Sequence, residues 1–262
     1  MAEVIVVGSR KAAGALVAEA IERLVGTRPD AVLGLATGDT PLPVYRALAE
    51  RVRAGLDLSA VRGFALDEYV GIPVTHPESY HSVIARDVVG PLKLNPAAVH
   101  VPDGRTLGIE TAGERYEVAI TSSGGIDLQI LGIGTDGHIG FNEPGSSFAS
   151  LTRVKTLTRQ TREDNARFFA SIDDVPVHSI TQGLGTILRA KRLVLLAFGA
   201  AKAHAVAAAV EGPLSASVPA SAIQLHPRAT VVVDEEAASM LTELEYYRDA
   251  FAQKPIWDPV IL

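Results

Sequence analysis

The 262-residue chain contains no cysteine. That excludes disulfides, a thiol nucleophile and cysteine-ligated zinc or iron–sulfur sites, and it fits a reducing compartment. Excess positive charge is also lacking: 24 Lys and Arg against 30 Asp and Glu give a net −6. Generic nucleic-acid binding needs a basic surface, so no nucleic-acid partner is expected. A local pocket can still oppose the global sign, so anionic small molecules remain open as ligands. Long apolar runs are missing too; the longest, such as Leu193 to Ala201, fall far below bilayer-spanning length. The stretch Ala2 to Gly8 is apolar but short, with neither a basic flank nor a cleavage signature. The expectation is a cytoplasmic protein with no membrane partner.

What is present is a chain of 47% hydrophobic residues with a mean hydropathy of +0.21, which argues against disorder. No repeat, low-complexity tract or Pro/Ser linker divides it, so one domain over residues 1–262 is expected. Strand-like runs fall at Val4–Val7, Ala31–Ala36, Gly63–Leu66, Ile126–Leu131, Leu193–Phe198 and Thr230–Val233. Helical patterns lie between them, at Lys11–Leu24, Pro41–Arg53, Glu78–Val89, Ile109–Thr121, Thr161–Phe169 and Lys202–Val210. Continuous apolar strands indicate a sheet covered on both faces. Their alternation with helices predicts an α/β fold, a doubly wound, mostly parallel sheet in a three-layer Rossmann-like sandwich. The polar segment from about 150 to 185 has weaker periodicity and reads as an inserted flap, about residues 153–182. The amphipathic stretch Leu241–Tyr247 reads as a packing helix.

The richest stretch is Gly132-Ile-Gly-Thr-Asp-Gly-His-Ile-Gly-Phe-Asn-Glu-Pro144, which follows the run Ile126–Leu131. Open α/β sheets place their chemistry at the carboxyl ends of strands. Here Asp136, His138 and Glu143 stand among glycines that let the backbone bend sharply. Carboxylate–imidazole–carboxylate suits proton transfer near neutral pH, so the loop predicts an enzyme.

Three other places carry chemistry. After the second strand, Ala36-Thr37-Gly38-Asp39-Thr40-Pro41 has Thr40 as a candidate N-cap and Pro41 as a first helical residue. The free N–H groups and dipole of that helix start form an anion site, although a strand-to-helix turn needs Gly and a cap in any case. After the third strand, Asp67 and Glu68 are adjacent on an extended chain, so one faces a pocket and the other makes a structural hydrogen bond. The last is a basic set, Arg153, Lys155, Arg159, Arg162 and Arg167, with Lys202 near a helix start. Arg159 and Arg162 read as merely solvated. Lys202 runs against its helix dipole, which a bound phosphate would explain. His76, His81, His100, His178, His204 and His226 lack the i, i+4 pairing of a helical metal site, and no metal is expected, in the Gly-rich loop or elsewhere.

Taken together, several stretches resemble the glucosamine-6-phosphate deaminase family: Ala36–Pro41, Leu66–Gly71, His76–Ser82, Gly137–Pro144, Asn165–Phe169 and Ala209–Gly212. The His–Ile–Gly–Phe–Asn–Glu–Pro block is the most specific of them. The resemblance covers about residues 32–234. It implies conversion of glucosamine 6-phosphate and water to fructose 6-phosphate and ammonia, with no cofactor, on a doubly wound sandwich. By position it implies that Asp67 moves the proton between C2 and C1, and that Asp136, His138 and Glu143 open the pyranose ring. Substrate binding then falls on Thr37, Gly38, Asp39 and Thr40 with Arg167 and Lys202. Ser146, Arg153 and Lys155 match parts of the effector site of family hexamers activated by N-acetylglucosamine 6-phosphate, while the C-terminal region diverges from those members. A homo-oligomer is thus one open outcome. Asp39 departs from the commoner Gly or Ser, and a carboxylate beside a phosphate is unfavourable unless its side chain points away.

Two alternatives stand beside this reading. One is 6-phosphogluconolactonase, with the same fold and a sugar-phosphate ligand; Tyr69-Val70-Gly71 and Phe141-Asn142-Glu143 fit the deaminase better. The other is a non-catalytic sugar-phosphate sensor, which would be expected to have lost acid–base residues. A preference for galactosamine 6-phosphate is a smaller variation that the motifs barely resolve.

Overall fold

The computed structural model describes residues 2–255 and residue 261. In chain order its elements begin β1 (Glu3–Val7), α1 (Arg10–Thr27), β2 (Val32–Leu35), α2 (Leu42–Arg53), β3 (Arg62–Ala65), β4 (Asp67–Tyr69) and α3 (Tyr80–Ile84). A π-helical turn (Ala85–Val89) leads into α4 (Gly90–Leu92), then β5 (Val99–His100), α5 (Ile109–Ser122), β6 (Leu128–Leu131), β7 (Arg153–Thr156) and α6 (Arg159–Asn165). The last are β8 (His178–Thr181), α7 (Leu184–Leu188), β9 (Leu193–Ala197), α8 (Ala203–Val210), β10 (Ala229–Asp234) and α9 (Leu244–Ala252).

Seven strands form one sheet in the order β1-β10-β9-β6-β2-β3-β5, with every pair parallel. Every residue of β2, β6 and β9 is buried, as expected of strands covered on both faces. Helices supply the cover. In α1, Ser9 Oγ accepts the Ala12 N–H at 3.1 Å as N-cap, and Ala13, Val17, Ile21 and Leu24 turn inward. Helices α1 and α2 touch where Gly14 meets Pro43: a Cβ at Gly14 would fall 2.4 Å from the Pro43 carbonyl oxygen. The predicted doubly wound sheet is therefore the observed one.

A second, three-stranded antiparallel sheet, β4-β8-β7, was not anticipated. Its strands are short, and β4 follows β3 after a single residue, Leu66, so the sequence reads as one strand running into acidic residues. The segment expected as a flap, 153–182, comprises β7, α6, two 3₁₀ turns and β8. Its Leu157 and Val175 pack with Tyr69 of β4 and Phe141 of the loop after β6 in a small apolar cluster.

Three local expectations are corrected. Helix α2 begins at Leu42 with Pro41 at the N-cap and no side-chain cap, so Thr40 does not fill that role. The helix expected over 78–89 starts at Tyr80 and passes through a π-helical turn, because Ser79 Oγ caps Ser82 N–H at 3.1 Å and fixes the start. The C-terminal packing helix runs from Leu244 to Ala252, beginning three residues beyond Leu241.

Candidate active site

The strands β9, β6, β2 and β3 are neighbours at the centre of the sheet, and a loop follows the carboxyl end of each. From β2 the chain next adds β3 and β5 on one side; β6 then joins on the other and β9 and β10 follow it outward. The crevice between β2 and β6 is thus the topological switch point, where ligands bind in such sheets. A cavity of about 500 Å³ opens there, lined by residues of all four loops, of the segment 78–87 and of the flap.

The β6 loop holds its three ionisable groups together through glycine geometry. Gly137 (φ 84°) and Gly140 (φ 57°) take left-handed conformations that disfavour side chains. The Gly134 N–H donates to the His138 carbonyl at 2.9 Å, and a Cβ on Gly134 would lie 2.2 Å from the imidazole. His138 Nδ1 sits 2.6 Å from Asp136 Oδ1, too bent for a good hydrogen bond, and 3.9 Å from Glu143 Oε2. Burial works against the Asp136 charge, yet the His138 ring and backbone N–H outweigh it and hold the carboxyl at about 2. Glu143 is buried: Oε1 accepts the Thr158 N–H at 3.0 Å, and among the described residues Oε2 has no hydrogen-bond partner. One donor atom from each of the three residues lies within 4.8 Å of the others. The 2.6 Å approach of imidazole and carboxylate is shorter than the roughly 3.4 Å between two ligands on tetrahedral zinc.

The adjacent acids after β3 divide their work as the strand alternation implied. Glu68 turns inward and accepts the N–H groups of Tyr69 (2.8 Å), Tyr80 (2.9 Å) and His81 (2.9 Å), anchoring the start of α3. Asp67 faces the cavity beside Gly140, and among the described residues no donor reaches its carboxylate. Burial, then the neighbouring Glu68 charge, push Asp67 up to about 8. A buried carboxyl with so high a pKa can hold and release a proton near neutrality, as a general base requires.

At the β2 end of the cavity, Thr37, Gly38 (φ 82°), Asp39 and Thr40 form the turn beneath α2. Arg167 reaches it from the flap, with Nη2 3.4 Å from Asp39 Oδ2 and its guanidinium 4.6 Å from the Phe168 ring centroid. Lys202 enters from the start of α8, its pKa lowered by burial. The residues named from sequence for acid–base chemistry and anion binding thus converge, with Asp136 and Glu143 placed just behind His138.

The remaining basic residues separate. Arg159 is exposed and paired with Glu163 at 2.8 Å. Arg162 is not simply solvated, because it donates to the carbonyls of Ile172 (2.8 Å) and Val175 (3.2 Å) and ties the two limbs of the flap together. Of the candidate effector residues, Ser146 is buried and donates to the Glu143 carbonyl at 2.6 Å. Arg153 donates to Asn142 Oδ1 at 2.9 Å, and Lys155 lies two residues along the same face of β7.

Several lining residues escaped the sequence reading. Tyr69, Tyr80, Phe141 and Phe169 make an aromatic wall with ring centroids 5.0–5.9 Å apart. Arg86, paired with Asp87 at 2.9 Å, and Asp164 on α6 also face the cavity. The four aromatics lie in stretches that carry the family resemblance, but none takes a site role from sequence alone, because they come from different elements and only packing assembles them.

A parallel sheet with a cavity lined by ionisable side chains at its switch point defines a doubly wound α/β protein with its candidate ligand site between β2 and β6. Residues 9–233 match the family described as glucosamine-6-phosphate isomerases/6-phosphogluconolactonase, and the chain belongs to that family. It is 57% identical over 258 residues to a glucosamine-6-phosphate deaminase of Pseudarthrobacter chlorophenolicus, covering 98% of this chain and 100% of that one. It is 58% identical over 260 residues to the deaminase of Streptomyces coelicolor, again covering 98% and 100%. Among solved structures it resembles a monomeric glucosamine-6-phosphate deaminase, with a TM-score of 0.88 at 41% identity over 91% of this chain and 99% of that one. The 6-phosphogluconolactonase of Trypanosoma brucei shares the fold alone, with a TM-score of 0.76 at 18% identity over 92% of this chain and 99% of that one. Among the described residues no helix is long and apolar enough to cross a membrane.

Proposed function

We propose that this chain is a glucosamine-6-phosphate deaminase, a cytoplasmic hydrolase that converts D-glucosamine 6-phosphate and water to D-fructose 6-phosphate and ammonia. The observation that carries the reading is a lone, buried, proton-holding Asp67 in one cavity with the Asp136–His138–Glu143 loop and the Arg167 and Lys202 cations. Relatives of 57–58% identity over nearly the whole chain bear that name. The 6-phosphogluconolactonase reading rests on likenesses in fold of about 20% identity and is the weaker one.

The chemistry follows from the positions. In the cyclic sugar C2 is not yet α to a carbonyl, so its proton is not acidic. His138 removes the O1 proton and the ring oxygen regains one, while Asp136 and Glu143 orient the imidazole and balance its charge. In the open chain C2 lies beside the C1 aldehyde. Asp67 takes the C2 proton, electrons shift to give an enolamine, and the proton is returned to C1. The resulting C2 imine adds water and expels ammonia, leaving the ketose. Positioned acid–base groups contribute on the order of 10²–10⁴-fold each. The turn at Thr37–Thr40, with Arg167 and Lys202, holds the phosphate so that the flexible open chain presents C1 and C2 to Asp67.

The test is a coupled ammonia assay with glucosamine 6-phosphate and galactosamine 6-phosphate, run beside hydrolysis of 6-phosphogluconolactone. Ammonia release from a hexosamine phosphate is expected. Lactone hydrolysis without ammonia would replace the assignment with the lactonase, and binding without turnover would replace it with the sensor. Repeating the assay with N-acetylglucosamine 6-phosphate, and measuring mass in solution, tests Ser146, Arg153 and Lys155 as effector residues and a homo-oligomer.

A further inference from the structure

We propose that Asp39 and Asp164 are internal counter-charges at the anion-binding end of the cavity, Asp39 paired with Arg167 and Asp164 facing the same space from α6, and that they set how tightly a phosphate binds there. The inference rests on the sugar-phosphate reading above for the identity of the ligand. Asp39 sits next to Gly38, whose positive φ of 82° turns the chain over the cradle. Its carboxylate is exposed yet turned toward Arg167, with Oδ2 3.4 Å from Nη2, so the contact spans from the β2 turn to the 153–182 segment. Asp164, one helical turn before Arg167, faces the same space from α6. Its Oδ2 accepts the Thr135 hydroxyl at 3.2 Å, its Oδ1 accepts Gln160 Nε2 at 2.9 Å, and its charge acts on Lys202. Asp39, Asp164, Arg167, Lys202 and Thr135 all line the one cavity.

One carboxylate therefore pairs directly with Arg167 and the other shares the cavity with both cations, where a phosphate dianion would sit. Asp39 and Arg167 are both well exposed, 59% and 63%, and ion pairs of that kind are weak. Such a pair holds the flap helix against the cradle yet yields to a doubly charged ligand. A singly charged or neutral ligand gains too little from the exchange, so the carboxylates discriminate in favour of the dianion. Asp39 and Asp164 are positioning and specificity-determining residues, acting through Arg167 and Lys202 rather than on the reacting carbons.

The test is calorimetric titration with inorganic phosphate at low ionic strength, on the intact chain and on Asp39→Asn, Asp164→Asn and Asp39→Glu. Removing either charge is expected to tighten phosphate binding by about 2- to 5-fold, the scale of one exposed ion pair. Asp39→Glu is expected to return the parental affinity, and added salt to shrink the differences. The same two Asn variants should lower KM for glucosamine 6-phosphate. Unchanged or weaker phosphate binding in folded Asp39→Asn and Asp164→Asn would overturn the proposal, as would an Asp39→Glu variant that behaves like Asp39→Asn. Phosphate affinity is read without turnover, so an enzyme that releases no ammonia would remove the deaminase assignment and leave this measurement standing.

Discussion

Replacing Asp67 with asparagine should stabilise the protein at neutral and alkaline pH while abolishing C2 proton exchange. In the folded protein the Asp67 carboxyl titrates at about 8, against an ordinary value of 3.8 that applies when the chain is unfolded. Below pH 4 both states carry the proton and the residue is neutral in each. Between about pH 4 and 8 the unfolded carboxyl ionises freely and the folded one does not, so each pH unit removes about 1.4 kcal/mol of stability. Above the folded pKa both are ionised and the loss levels off at roughly 6 kcal/mol. Halving that figure for water reaching the carboxyl from the cavity still leaves about 3 kcal/mol, well beyond the usual surface substitution. Asparagine is close in shape to the protonated acid and does not titrate. Urea unfolding of both proteins at pH 5, 6, 7 and 8 isolates the effect, since the other ionisable groups cancel in the difference. The stability of Asp67→Asn relative to the parent should climb steadily over that range. A difference that stays flat from pH 5 to 8 would refute the buried-base reading, even if the variant were inactive.

The neighbouring charge supplies a second check. Glu68→Gln removes the repulsion that helps keep Asp67 protonated, so the acid limb of kcat/KM, expected near pH 8, should move to lower pH. The variant should also lose about 1–3 kcal/mol, because an amide accepts only part of the three N–H bonds that the carboxylate now receives; an unmoved limb would detach Glu68 from the base. Far from the cavity, Gly14→Ala should lower stability by about 1–3 kcal/mol, read as a drop in Tm, because its Cβ would meet the Pro43 backbone between α1 and α2. An unchanged melting curve would mean the two helices part without penalty.

The legible parts of the sequence were those with a strong local cause. Buried parallel strands are apolar throughout, so β2, β6 and β9 announced themselves, and the alternation with helices gave their parallel arrangement. The proton-transfer loop was legible because its glycines and ionisable residues are contiguous. That at most one of Asp67 and Glu68 faces the pocket followed from strand alternation, and that it is Asp67 came from the family resemblance. Short strands without an apolar run were not legible. Polar β4 and half-exposed β7 do not stand out as apolar strands do, and their pairing partner β8 lies beyond a long excursion. Arg162 looked solvated because its partners are backbone carbonyls, which no side-chain pattern encodes.

By itself, then, the chain determined which residues could do chemistry: an imidazole between two acids, a carboxyl pair at a strand end, cations near helix starts. Tertiary structure alone decided what those groups became. Asp67 turned into a proton-holding base only when packing buried it away from donors and most water, where the charge of the adjacent Glu68 also acts on it, raising its pKa to about 8. Asp136 went the other way, to about 2, because the fold brought it against His138. Asp39 stood at an unexpected position in the turn, and only the folded flap showed that its carboxylate meets Arg167. Charge and pKa depend on neighbours across space and on exclusion of water, and neither is written along the chain.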